Sequence, residues 1–143
     1  MYIFALRVST CVLFVAINAL GQSGIGQTVR SNGGANCEKV TAIVDSFIQG
    51  TPTAKNIIVI VYKGGSEKRK DLVSQRIKSL RSYFTLALRG SDYARPSGSV
   101  IFGVSDETSP EGRVDFYVDG VVGLRILFEN NSRLALSPCY GHG

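Results

Sequence analysis

Six consecutive apolar or aromatic residues, Ile57–Tyr62 (IIVIVY), stop at Gly64-Gly65 and give way at once to a basic, helically patterned stretch. This junction constrains the chain more than any other feature. A run without polar alternation, rich in β-branched side chains and closed by two glycines, predicts a strand buried on both faces in the interior of a sheet. The segment after it, from about Glu67 to Leu88, places Val73, Ile77, Leu80, Phe84 and Leu88 on one helical stripe. Arg89-Gly90 then supplies a stop.

The flanking elements follow the same logic. Val40, Ile43, Val44, Phe47 and Ile48 lie on one helical face within Cys37–Gln49, with Asn36 as N-cap and Gly50 and Pro52 as terminators. Val100–Val104 (VIFGV) reads as a second buried strand, and residues 106–112 as a polar turn. Val114, Phe116 and Val118 alternate, Asp119-Gly120 is a hairpin signal, and Val121–Phe128 returns with Leu124, Ile126 and Phe128 on one face and Arg125 on the other. Leu134–Leu136 is expected to add a short last strand. The order predicts an α+β two-layer sandwich, two helices on a mixed sheet of about four to five strands.

The amino-terminal end carries a different signal. Arg7 precedes Val8–Leu20, which is almost wholly apolar yet short for a bilayer span, and Ala19-Leu20-Gly21 offers small residues for cleavage before Gln22. Residues 1–21 therefore read as a secretory signal, with an uncleaved anchor as the alternative. Residues 22–36, rich in Gly, Ser, Gln and Asn, read as a flexible tether. The domain is expected at 37–143, in the periplasm or cell envelope or secreted, and no later segment is apolar enough to span a membrane. Loss of Arg7 leaves 15 basic against 11 acidic residues, so the net charge of +5 becomes +4. Cys11 leaves too. Cys37 and Cys139 remain, and an oxidising compartment predicts that they pair, unpaired or intermolecular thiols being the alternative.

The chemistry available is narrow. The single histidine, His142, sits between glycines at the chain end, where nothing would position it as a base. Zinc-type Cys/His spacing and the GxxxxGK[ST] phosphate loop are both missing from the sequence. Asp106-Glu107 and Glu111 read as turn acids. No catalytic residue, metal or cofactor is expected, nor nucleic-acid binding by an exported chain. The basic residues of 67–89 stand out: Lys68, Arg69, Lys70, Arg76, Lys78, Arg81 and Arg89. Most belong to a solvent face. Arg76 falls at the edge of the apolar stripe, either as a snorkelling side chain or as a bidentate clamp for a carboxylate. Backbone N–H groups of Gly64, Gly65 and Ser66, with Lys63, would flank an anion at the carboxyl end of the strand.

These motifs carry a resemblance. The IIVIVY strand, the Gly-Ser turn and the helix with Leu72, Arg76, Leu80, Tyr83 and Phe84 resemble the outer-membrane-protein-A-like (OmpA-like) domain over roughly residues 38–118, as a divergent member. The resemblance implies a non-catalytic module that binds peptidoglycan, or another envelope component, through an Arg and an Asp that hold the diaminopimelate of the stem peptide. Arg76 matches the Arg. The Asp has no match, since no acid precedes Glu67 in the turn. The alternative function is a protein–protein or anionic-surface interaction module using the basic helix 67–89.

Overall fold

The computed structural model describes residues 26–136 and Cys139. The expected signal segment 1–21, residues 22–25 and His142 lie outside the described residues. The fold is α+β: two helices packed with a five-stranded mixed sheet, in two layers. The elements are β1 (Gln27–Ser31), a 3-10 turn (Gly33–Asn36), α1 (Cys37–Gly50), β2 (Ile57–Gly64), α2 (Leu72–Ser82) running on into a π-helical turn (Tyr83–Ala87), β3 (Val100–Ser109), β4 (Arg113–Val118) and β5 (Val121–Phe128). The sheet order is β1-β5-β4-β2-β3. β2 pairs parallel with β3 and antiparallel with β4, while β1 pairs parallel with β5. The β4–β5 hairpin turns on Asp119 and Gly120, both at positive φ, as its Asp-Gly signal requires.

The core lies between the helices and one face of the sheet. Val40, Val44 and Ile48 of α1 and Leu80 of α2 close over Val59, Phe116, Leu124 and Ile126. Phe47 packs edge-on against Phe116, with ring centroids 5.6 Å apart, over a sheet position where Gly123 leaves room: a Cβ there would lie 2.6 Å from the Phe47 ring.

The second helix begins at Leu72 instead of near Glu67, because the Glu67 side chain turns back to the Gly64 N–H, and four further stretches depart from expectation. First, the segment expected as tether contains β1, and the folded unit starts by Gly26, whose N–H donates to Val122 O at 2.9 Å. Its sequence advertises little because only Val29 is an apolar core residue. Pairing with β5 supplies the order, and Ser31 O accepts from Glu129 N and Ser132 Oγ, each at 2.9 Å. Asn36 precedes α1 but does not cap it; its amide brackets the end of β1 instead, through Arg30 O and Asn32 N. Second, β2 is not buried on both faces. Ile57, Val59 and Val61 face the helices, whereas Ile58 is 39% exposed on the other side, because the second face carries no helical layer. Third, β3 is not a buried strand but the edge of the sheet, with Ile101 and Val104 exposed, and it runs through Asp106 and Glu107 to Ser109, so these acids are strand residues. Fourth, Leu134 and Leu136 are buried without forming a strand. Gln75 of α2 takes the place of a strand neighbour, its amide donating to Leu134 O (3.0 Å) and accepting from Leu134 N (3.1 Å).

Cys37 and Cys139 are disulfide-bonded across 102 residues, their Cα atoms 5.7 Å apart. The bond ties the first turn of α1 to the tail beyond Leu136. A loop of this length restricts the unfolded chain by about 4–5 kcal/mol in the chain-entropy model. Reduction, or Cys37→Ser with Cys139→Ser, is therefore expected to lower unfolding free energy by about 4–5 kcal/mol. Urea titrations of the oxidised and reduced chain measure this directly.

Candidate functional site

The opening junction resolves into a closed polar knot. Gly64 ends β2, and the chain turns tightly, with Glu67 N donating to Gly64 O at 3.1 Å. The Glu67 side chain folds back: Oε2 accepts from Gly64 N at 2.8 Å and Oε1 from Arg76 Nη2 at 2.5 Å. The Arg76 side chain is 0% exposed and that of Glu67 2%. Arg76 Nη2 also donates to Ser132 O at 2.8 Å, and its Cζ lies 3.8 Å from the centre of the Phe128 ring, a cation–π stack. Gly112 closes the top: a Cβ there would collide with Glu67 Oε1 and lie 2.6 Å from Arg76 Nη1.

This arrangement sets where each expected site residue stands. Arg76 is beside the glycine turn, as expected, but lies in the middle of the buried row Leu72–Arg76–Leu80 instead of at its edge. Its carboxylate partner is internal, so a ligand carboxylate would have to displace Glu67. The Gly64 N–H serves Glu67, and the Gly65 N–H serves Ser109 O at 2.8 Å. Lys63 and Ser66 are exposed. Ser66 borders a cavity of about 400 Å³ lined also by Glu67, Glu111, Glu129 and Asn130. The mouth is lined by acids, of which Glu67 is held by Arg76 and Glu111 by Arg30 at 3.0 Å, and it does not offer the expected ring of anion donors. Glu67 was not anticipated as a partner. The signal was available, since an acid nine residues before a stripe arginine and just after a double glycine can reach back across the turn.

The remaining cations of the stretch are arranged differently. Lys68, Arg69, Lys70, Lys78, Arg81 and Arg89 are all exposed. Arg69 pairs with Asp71 (2.5 Å), and burial opposing that pairing is outweighed, so the Asp71 carboxyl sits below its ordinary range chiefly through the Arg69 hydrogen bond. Because Arg76 occupies the centre of the buried row, Val73 and Ile77 are displaced to its margin. With Val104 of β3 they floor a groove of about 630 Å³ rimmed by Lys70, Lys78 and Arg81.

A second buried carboxylate lies on the opposite face of the sheet. Asp115, 0% exposed, receives Arg125 bidentately (2.6 and 2.8 Å) and Arg113 (3.2 Å). Arg113 stacks 4.0 Å over the Tyr62 ring, and the Tyr62 and Tyr117 hydroxyls are 3.1 Å apart. Burial, then the Tyr62 hydrogen bond, then the Asp115 charge push the Tyr117 phenol up to about 12. Among the described residues, no group of His, Cys, Asp and Glu could hold a metal ion, and no helix is long and apolar enough to cross a membrane.

Fold and site together define an α+β two-layer sandwich with a closed arginine–glutamate knot and an open basic groove beside it. No protein-family model, curated protein or solved structure matches the chain.

Two expectations follow from the buried groups. Glu67→Ala or Arg76→Met each leaves one charge buried and unpaired, and is expected to cost about 3–5 kcal/mol of stability. The Glu67→Gln/Arg76→Met double variant should cost clearly less than the sum of Glu67→Gln and Arg76→Met measured singly, as a denaturant double-mutant cycle reads. For Tyr117, the folded value lies above the ordinary 10.0, so the fold favours the neutral phenol. That stabilisation is complete below about pH 10 and is lost as pH rises towards about 12. Stability measured against pH should fall in this window, and fall less in Tyr117→Phe.

Proposed function

We propose that the chain is an exported, non-catalytic binding module of the cell envelope, and that it engages an anionic partner through the basic surface of residues 68–89, made by the segment that leads into α2 together with α2 itself. One observation carries this reading: of the seven cations between Lys68 and Arg89, six are exposed, Lys68, Arg69 and Lys70 on the segment leading into α2, Lys78 and Arg81 on α2 and Arg89 beyond it, while the seventh, Arg76, is consumed internally by Glu67. Cations that serve only solubility scatter among acids. Here Asp71 is the one acid on the exposed part of that stretch, and it is held by Arg69. A clustered basic surface attracts anionic surfaces and acidic proteins through its summed field. The disulfide and the apolar amino-terminal segment support export.

The resemblance to OmpA-like domains supports an envelope role. It lends less to recognition of diaminopimelate by Arg76, because that guanidinium is sealed beneath Gly112 and Phe128. The arginine acts as a structural member that fixes the roll of α2.

The test is binding of the disulfide-bonded chain to polyglutamate and to vesicles containing anionic lipid, across salt concentrations. Affinity should fall steeply with salt. Reversal of Lys68, Arg69 and Lys70 to Glu should cost about 3 kcal/mol or more, taking about 1 kcal/mol per basic residue near an anionic surface. Equal binding by the reversed variant would remove the Lys68–Lys70 segment from the reading. Binding to purified sacculi that depended on Arg76, at unchanged stability, would restore the carboxylate clamp.

A further inference from the structure

We infer that the β3 edge and the α2 groove form one docking site, which takes an extended acidic–apolar segment of a partner protein as a sixth strand. The inference rests on the proposed anionic partner and specifies its form.

β3 is the last strand of the sheet, with β2 as its one strand neighbour among the described residues. Exposed edges are ordinarily blunted by charge, proline or bulges. The second half of β3 is so protected: Asp106 and Glu107 lie on it, and the register with β2 shifts between Val61 and Lys63. The first half, Val100–Val104, has no charge, proline or register shift, and it leaves Ile101 49% and Val104 53% exposed. Ile58, 39% exposed, is the register partner of Ile101 and extends the apolar strip onto β2.

The two sides of this edge differ. Successive side chains of a strand point to opposite faces. Val104 borders the groove under α2, with Val73 and Ile77, whereas Ile101 lies with Ile58 on the face that carries no helices. A strand laid beside Val100–Val104 would extend the backbone ladder, send alternate side chains into the groove, and set the others against Ile101. Such strand addition draws affinity from main-chain bonds and selectivity from the alternate pockets.

Charge selects the occupant. Lys70, Lys78 and Arg81 rim the groove, and no acid lines it. A second copy pairing through its own β3 would bring its Lys70, Lys78 and Arg81 towards these, an unfavourable approach in a half-dry groove. An incoming segment with Asp or Glu at its groove-facing margin and apolar residues between meets both requirements.

The test is selection of displayed random dodecapeptides on the full disulfide-bonded chain, with Val104→Lys as the comparison protein. Val104 is half exposed, so this substitution leaves the core intact while placing a charge on the edge. Enriched peptides should alternate apolar residues with Asp or Glu, bind Val104→Lys about tenfold or more weaker, and slow hydrogen exchange at the amides of Val100–Val104. Failure to enrich any peptide, binding indifferent to Val104→Lys, or unchanged exchange at Val100–Val104 overturns the strand-addition site. Sedimentation as a dimer that Val104→Lys dissociates overturns it in favour of self-pairing. If polyglutamate binding persists in any of these cases, the anionic-partner reading stands alone. If Lys78→Glu/Arg81→Glu retains both peptide and polyglutamate binding, the role of α2 falls as well.

Discussion

The buried Glu67–Arg76 pair is the constraint on which the rest of this molecule is arranged. Taking two charges out of water is costly, and their attraction compensates only when the remaining hydrogen-bonding groups are met and water is excluded. Here Glu67 Oε2 is met by Gly64 N, Arg76 Nη2 by Ser132 O, and the guanidinium face by Phe128, but Arg76 Nε and Nη1 are buried without a hydrogen-bond partner among the described residues, so the compensation is partial. Each contact comes from a different part of the chain: the end of β2, the tail after β5, and β5 itself. The pair therefore registers α2 against the sheet and the carboxyl-terminal segment at once. Gly112 is required above it because a side chain would enter the space the two charges occupy.

That registration has a consequence on the far side of α2. With Leu72, Arg76 and Leu80 forming the buried row, the helix is rolled so that Val73 and Ile77 come to its margin. Apolar residues that would otherwise be core are left beside an edge strand, under exposed cations. The structural role of one arginine and the open groove beside its helix are two results of one roll. On the other face of the sheet, Asp115 repeats the principle with Arg125, Arg113 and the Tyr62–Tyr117 pair, a polar cover that lets a helix-free face bury part of β2 and β4.

Much of the architecture was legible along the chain. Val40, Val44 and Ile48 recur at helical spacing and are buried as α1 requires, and the Asp119-Gly120 turn with its flanking alternation specifies the β4–β5 hairpin. These signals are local, set by side-chain period and backbone conformation. β1 was not legible, because Gln27–Ser31 has one apolar core residue and its order comes from a partner almost a hundred residues away. The last segment misled in the opposite sense: Leu134 and Leu136 have the look of a strand, but a side-chain amide, Gln75, supplies the pairing. The candidate site was half legible. Arg76 and the glycine turn do lie together, while the acid that closes them was hidden by being read as part of the helix.

The sequence by itself determined the α+β class, most of the element types and the excess of cations between residues 68 and 89, since these follow from period, propensity and composition. It also contained the two cysteines whose pairing joins α1 to the tail. Only the tertiary structure decided which of those cations is spent inside and which face outward, because that depends on the roll of α2 and on atoms brought from β2, β5 and the tail. Burial of a charge is a property of its surroundings, and no spacing along a helix specifies them.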